Sequence, residues 1–433
     1  MQDAVDRRID GSRDELVTLT QALVRIPTIN PPGDAYTPCA QLIGDRLKRF
    51  GFDVDYVRAH DTPGDSDRYP RTNVIARFEG KRPGKTIHFN SHIDVVEVGS
   101  GWTFDPFGGE ACDGKIYGRG TCDMKGGLAA SIIAAECYIA ERPDFSGAIE
   151  ISGTVDEESG GFGGVAHLAS KGLFSKPRVD HVIIPEPLNK DRICLGHRGV
   201  WWAQIETFGV QAHGSMPFLG DCAIRHMGAV LNAFEADLYP QLAAKRTNMP
   251  VVPEGAKQST LNINSIHGGE NEPGSSGKPD DYDGLPSPNV PDSCSMIIDR
   301  RFLIEEDLAT VKREVTGILD ALKADREQFD YTIKDIMEVL PTMTERDAPV
   351  VKAVRDGIRD VLGQEPDYVI SPGTYDQKHI ARIGHLHDCI AYGPGILDLA
   401  HMADEYVGID DMIQSAKVMA RAIERLLHPA ATC

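Results

Sequence analysis

A chain of 433 residues exceeds one typical core, and 41% hydrophobic with 25% charged content is a soluble globular composition. A formal net charge of −20 argues against nucleic acid and anionic membrane as partners. The opening MQDAVDRRIDGSRDELV has no secretory apolar stretch, no run of about 18 apolar residues occurs, and nine scattered cysteines without a C-x-x-C predict reduced thiols in a cytoplasmic protein.

Ser12-x-x-Glu15 ahead of Leu16, Val17 and Leu19 reads as a capping box, opening a helix that ends near Ile26 before Pro27. Asn30-Pro31-Pro32-Gly33 is a loop. Thr37–Phe50 has the period of an amphipathic helix, and Phe52–Val57 and Thr72–Phe78 read as strands. The β-prone residues Thr86, Ile87 and Phe89 lead into His92 and Asp94, which share one face at the end of a strand. Gly118 and Gly120 make a turn before Asp123, and the Pro-free run Gly127–Ala140 reads as a helix. Ala148–Val155 is a strand running into Asp156-Glu157-Glu158, and Val179–Ile184 is an apolar strand followed by Glu186. This alternation predicts an α/β layer with a mostly parallel central sheet, whose sites gather at the carboxyl ends of strands. Gly199–Phe208 then alternates like an exposed strand, Asp221–Leu238 and Glu305–Ala324 read as helices, and Gly268–Pro291 as a long surface loop between them. The parse is a first domain over 1–194 and 331–433, interrupted by an inserted domain at 195–330. Pro349–Leu362 and Ile409–Leu427 add two helices, with His401 in the loop-rich sequence between them.

His92, Asp123, Glu158, Glu186 and His401 offer two imidazoles and three carboxylates. Nitrogen and oxygen donors suit zinc, with cobalt or manganese as alternatives. With Asp123 as a bridge, each of two divalent ions keeps two further protein ligands and an open position, the arrangement that activates a water and clamps a tetrahedral intermediate. Asp94 then accepts a hydrogen bond from the far nitrogen of His92 and fixes its tautomer. Glu157 takes the proton from the activated water. Cys122 reads as a small buried residue behind the ions.

The motifs around these residues resemble the dizinc aminoacylase/carboxypeptidase family, which includes acetylornithine deacetylase and succinyl-diaminopimelate desuccinylase. S-H-I-D-V-V resembles its His-x-Asp box, and D-G-K-I-Y-G-R-G-T-C-D-M-K-G-G its bridging-aspartate box. D-E-E-S-G-G resembles its glutamate pair, P-E-P its third carboxylate and A-H-M-A-D-E its C-terminal histidine, so the likeness covers nearly the whole chain. The resemblance implies a zinc-exopeptidase-like catalytic domain with an inserted α+β lid that forms a homodimer. One metal is then held by His92, Asp123 and Glu186, the other by Asp123, Glu158 and His401, with Glu157 as the base and Asp94 behind His92. G-V-Q-A-H-G-S-M-P resembles the lid motif whose histidine, here His213, reaches the partner subunit's site and stabilises the oxyanion. Asp299-Arg300-Arg301 resembles the motif whose arginine, here Arg301, contacts the substrate carboxylate. S-P-G-T-Y-D-Q-K resembles the desuccinylase loop S-G-G-T-S-D-G-R and implies substrate contacts from Gly373, Thr374 and Lys378. Pro372 and Tyr375 depart from that pattern, and Lys378 puts a point charge where the pattern has a planar fork. The implied reaction is hydrolysis of the amide bond of an N-acyl amino acid by a metal-activated water. A dipeptidase or carboxypeptidase of the same fold is the alternative, because both cut an amide beside a carboxylate. A carbamoylase or an unusual deaminase is more distant. His197, His379, His385 and His387 match no ligand motif and are expected to be dispensable for metal binding.

Overall fold

Strands from both halves of the chain form one nine-stranded sheet, seen in a computed structural model that describes residues 3–269 and 288–428. The chain opens with α1 (Ala4–Gly11), α2 (Arg13–Val24) and α3 (Tyr36–Phe50), then β1 (Asp53–Arg58), β2 (Thr72–Glu79) and β3 (Arg82–His92). β4 (Glu110–Cys112) and β5 (Lys115–Tyr117) precede α4 (Gly126–Glu141), β6 (Ser146–Thr154), α5 (His167–Ser170), β7 (His181–Ile184) and β8 (Arg192–His197). After β9 (Gly199–Phe208) come α6 (Ala223–Ala233), α7 (Tyr239–Ala244), β10 (Thr260–Gly268), β11 (Ser293–Phe302), α8 (Leu308–Asp325), β12 (Asp330–Val339) and β13 (Thr342–Met343). The chain ends with α9 (Pro349–Leu362), β14 (Asp367–Ser371), α10 (Gln377–Arg382), β15 (Cys389–Ala391), β16 (Tyr406–Gly408) and α11 (Ile409–Leu427).

The large sheet runs β1-β2-β6-β3-β7-β15-β8-β13, with β14 beside β8. Its middle, β6-β3-β7-β15, is parallel, whereas β1 against β2, β2 against β6 and β15 against β8 are antiparallel. A parallel core needs cover on both faces. α4 supplies part of it and is buried on every side from Gly126 to Ile139, which its Ala/Ile-rich sequence permits.

By their contacts, Met1–Gly196, Met343–Val369 and Tyr375–Cys433 form one compact unit, and His197–Thr342 with Ile370–Thr374 form another. The second has its own antiparallel sheet, β10-β11-β9-β12, and its own core of Trp201, Ile205, Met227, Phe234, Met296 and Val315. Among the described residues no helix is long and apolar enough to cross a membrane.

Several local expectations need correction. Ser12 makes no side-chain cap; its hydroxyl donates back to the Arg8 carbonyl, because an unanticipated helix, α1, ends there. α8 begins at Leu308 rather than Glu305, since Asp307 Oδ1 accepts from the Thr310 amide at 2.9 Å and caps it. The expected helix Asp221–Leu238 is α6 followed by a wider turn at Phe234–Leu238. β12 escapes the period-two pattern because a bulge between Asp335 and Met337 shifts its register against β9. Most of the expected loop Gly268–Pro291 lies outside the described residues.

Candidate metal centre

Four elements of the first unit deliver ligands to one place. His92 ends β3, Asp123 lies in the turn Thr121–Lys125 ahead of α4, Glu158 lies in the short turn after β6, and Glu186 follows β7. His401 arrives on the loop between β15 and β16. Gly127 lets the first turn of α4 touch the segment carrying Glu186, for a Cβ there would stand 2.0 Å from the Pro185 carbonyl oxygen.

The donors form two trios, His92-Asp123-Glu186 and Asp123-Glu158-His401, each with its ligand atoms within 4.8 Å of one another. His92 Nε2 lies 3.0 Å from Asp123 Oδ1 and 3.9 Å from Glu186 Oε1. His401 Nε2 lies 3.2 Å from Glu158 Oε2 and 3.7 Å from Asp123 Oδ2. Asp123 therefore turns one oxygen towards each imidazole. The His92 side chain is 1% exposed and the His401 side chain 50%, so the cluster is closed behind and open on the His401 side. Among the described residues these are the only such groups, and His197, His379, His385 and His387 belong to neither.

The expected partner of His92 is present through a different atom. Its Nδ1 bonds the Asp94 carbonyl oxygen at 3.0 Å, while the Asp94 carboxylate stands 3.6 Å away. That carboxylate accepts instead from Asn30 Nδ2 at 2.8 Å and from the Glu157 and Glu158 amides at 3.2 and 3.1 Å. It thus shapes the acidic turn, and His92 still has Nδ1–H engaged and Nε2 aimed at the cluster.

Two residues absent from the sequence reading hold the ligand loops. Glu405 Oε1 accepts from the amides of Gly120, Cys122 and Asp123 at 3.0, 2.9 and 3.1 Å. Its Oε2 accepts from Arg119 Nη1 at 2.6 Å, and Arg119 also donates to the His401 and Met402 carbonyls. One buried pair thus fixes the loops of both Asp123 and His401. Both lie inside the quoted motifs, so an arginine and an acid beside ligands were the available signal.

Electrostatically the centre lacks positive charge. Burial raises Glu158 to about 7 and Glu186 well above the usual carboxylate range. Burial also works to raise Asp123, but its hydrogen bond with His92 and the charges of both imidazoles hold it below its usual value. Burial disfavours charge on His92, yet Asp123 and Glu186 outweigh it and raise its pKa. Neutral nitrogen and carboxylate donors with a surplus of negative charge fit two divalent ions.

Glu157 belongs to neither trio; its Oε1 accepts from Lys378 Nζ at 2.9 Å. Lys378, expected to contact substrate, is 6% exposed and directs this hydrogen bond to the Glu157 carboxylate. His213, Arg301, Gly373 and Thr374 belong to the second unit. His213 is exposed, and its Nδ1 accepts from the Ser215 amide at 3.1 Å, which leaves the proton of the neutral ring on Nε2. Arg301 forks onto Asp299 on the same strand, at 2.6 and 2.9 Å. The Gly373 amide donates to Ser371 Oγ at 3.2 Å.

A family model described as peptidase family M20/M25/M40 matches residues 88–425. A succinyl-diaminopimelate desuccinylase of Pseudoalteromonas atlantica is 30% identical over 419 residues, 95% of this chain and 99% of that one. The enzyme of the same name from Stenotrophomonas maltophilia is 28% identical over 418 residues, with the same coverage of 95% and 99%. Among solved structures, the dipeptidase Dug1p of Saccharomyces cerevisiae shares the fold with a TM-score of 0.77 at 17% identity, over 99% of this chain and 98% of that one.

Proposed function

We propose a reaction on a settled premise: the chain belongs to peptidase family M20/M25/M40. It is a metal-dependent hydrolase that cleaves the amide bond of an N-acyl amino acid, releasing a carboxylate and an amine. The observation that carries this reading is Asp123, one oxygen towards each imidazole-bearing trio, with Glu157 on the adjoining turn but outside both. The full-length relatives at 28–30% identity are desuccinylases, whereas the dipeptidase likeness is one of fold alone.

His92, Asp123 and Glu186 would hold one ion, and Asp123, Glu158 and His401 the other, zinc before cobalt or manganese. Such ions supply Lewis acidity to the attacking water and the amide carbonyl. Glu157 takes the proton of that water and passes it to the leaving nitrogen. Arg301 meets the substrate carboxylate, with Gly373 and Thr374 lining the same substrate. The second unit serves as a lid and joins two subunits into a homodimer. In support, Phe218 and Leu219, near His213 in sequence, are 79% and 65% exposed, side chains that a subunit interface would cover. His213 then donates its Nε2–H to the oxyanion in the partner subunit's site. A cytoplasmic location agrees with eight free cysteines among the described residues.

The test is a panel of N-acetyl and N-succinyl amino acids against dipeptides, on protein loaded separately with zinc, cobalt and manganese. Faster turnover of the dipeptides would transfer the reading to a dipeptidase.

A further inference from the structure

The short helix α10 grips the turn that carries Glu157 at two points. Lys378 Nζ donates to Glu157 Oε1 at 2.9 Å. His379 Nε2 donates to the carbonyl of Gly160, which closes the Glu157–Ser159 turn, at 2.7 Å. The helix is itself anchored. Asp376 Oδ2 accepts from Asn90 Nδ2 on β3 at 2.8 Å. Gln377 Nε2 donates to the Leu195 and Cys389 carbonyls and to Thr344 Oγ1. Asn90 is held in turn by Ser152 Oγ at 2.8 Å, Ser152 by His88 Nε2 at 2.7 Å, and His88 by Glu150 at 2.9 Å. This buried polar ladder uses the faces of β3 and β6 that lead to His92. The support beneath Lys378 is thus built on the strand that presents a metal ligand.

An ammonium this buried has given up most of its water and needs a fixed acceptor. Burial disfavours the charge on Lys378, but Glu157 and Asp376 outweigh that and keep it protonated. Glu157 is more than a surface counterion, because its amide is also fixed, by Asp94 Oδ1 at 3.2 Å. A carboxylate held at both backbone and side chain has little freedom left.

We propose that Lys378 is a positioning residue for the base, orienting the Glu157 carboxylate for proton transfer, and does not bind a distal carboxylate of the substrate. The proposal rests on the N-acyl amino acid hydrolase reading. Loss of a substrate contact appears in KM for the substrates that make it, whereas loss of base orientation appears in kcat for every substrate.

The test uses zinc-loaded wild type, Lys378→Met and Lys378→Arg, an N-acetyl amino acid and its N-succinyl counterpart, and metal analysis of each protein. Lys378→Met is expected to lower kcat about 10²-fold on both substrates alike, with KM within about twofold and both metals retained. Lys378→Arg should recover part of kcat on both, and alkylammonium added to Lys378→Ala should do the same, which a purely structural lysine would not allow. A rise in KM confined to the N-succinyl substrate, or an unchanged kcat in Lys378→Met, overturns the proposal and leaves the hydrolase reading standing. If Lys378→Met sheds its metals, Lys378→Arg decides by the same KM criterion. Wild-type protein inert on both substrates overturns the hydrolase reading, and the proposal with it.

Discussion

Two buried charge clusters, one in each compact unit, follow opposite rules. In the second unit Arg300, with 0% side-chain exposure, bonds Glu306 at 2.8 Å and Glu314 at 3.2 Å, and Lys245 reaches the same two acids. Two cations meet two anions. Burial alone would raise Glu306, but Arg300, Lys245 and Ser259 hold it below its usual value. In the first unit three carboxylates meet two imidazoles, and burial lifts Glu158 to about 7. A structural network neutralises itself, because each buried charge left alone is costly. A cluster that stays short of positive charge is one built to receive it from outside.

Removing the shared anion breaks the contrast most completely. Asp123→Ala is expected to lose both metal equivalents and all turnover, because its two oxygens face the two trios. Elemental analysis after dialysis checks this; one equivalent still tightly held would mean a mononuclear site. Glu157→Gln comes next in size. Its kcat should fall about 10²–10⁴-fold while metal content stays at the wild-type level, since a base moves protons without holding an ion. A variant with near wild-type turnover would remove Glu157 from the mechanism.

Much of the first cluster is legible in the sequence. His92, Asp123, Glu158 and Glu186 sit where a strand ends or a helix begins, so local structure sets their direction, whereas His401 comes on a loop. The atoms engaged are less legible. Spacing brings Asp94 to His92, but β3 ends at His92, and the chain beyond it presents a carbonyl rather than the carboxylate. Glu405 serves three amides some 280 residues earlier in the chain, which no local pattern announces. Motif likeness carries the position of Lys378 but not the direction a buried ammonium takes. In the second unit the balanced network is invisible beforehand, because Lys245 lies 61 and 69 residues from Glu306 and Glu314, the two acids it joins to Arg300. β12 is hidden by its bulge, and α1 by a pattern reduced to Val5 and Ile9.

His213→Ala is expected to cost about 10²–10³-fold in kcat, ~2.7–4 kcal/mol, as for loss of one oxyanion donor. Mixing decides which subunit it serves. Inactive His213→Ala combined with inactive Glu157→Ala under subunit exchange gives heterodimers. If His213 serves its partner, one site of each heterodimer carries both defects and the other none, and activity returns. If it serves its own subunit, every site keeps one defect and the mixture stays inactive. No recovery despite demonstrated exchange would confine His213 to its own unit.

The smallest effect tests the charge shortage directly, in chelator-treated protein. Glu158 titrates at about 7 in the folded chain against an ordinary 4.5. Between those values the folded state keeps a proton that the unfolded chain has released, so stability falls as pH rises. Asp376, raised to about 7 by burial, and Glu405, raised to about 6, act in the same direction. Glu306 carries the opposite sign. Its folded value is depressed, so its contribution is present above the ordinary carboxylate value and is lost only as pH falls through the folded one. The two clusters therefore act in different pH windows. Metal-free melting temperature should decline from about pH 5 to about pH 7, by a few degrees. Glu158→Gln should flatten part of that decline, because a neutral amide releases no proton. Added zinc should reverse it, because the ions replace the protons as the positive charge of the cluster. A melting temperature that climbs across this window, or a slope untouched by both Glu158→Gln and zinc, would mean that the first cluster is balanced by something other than metal.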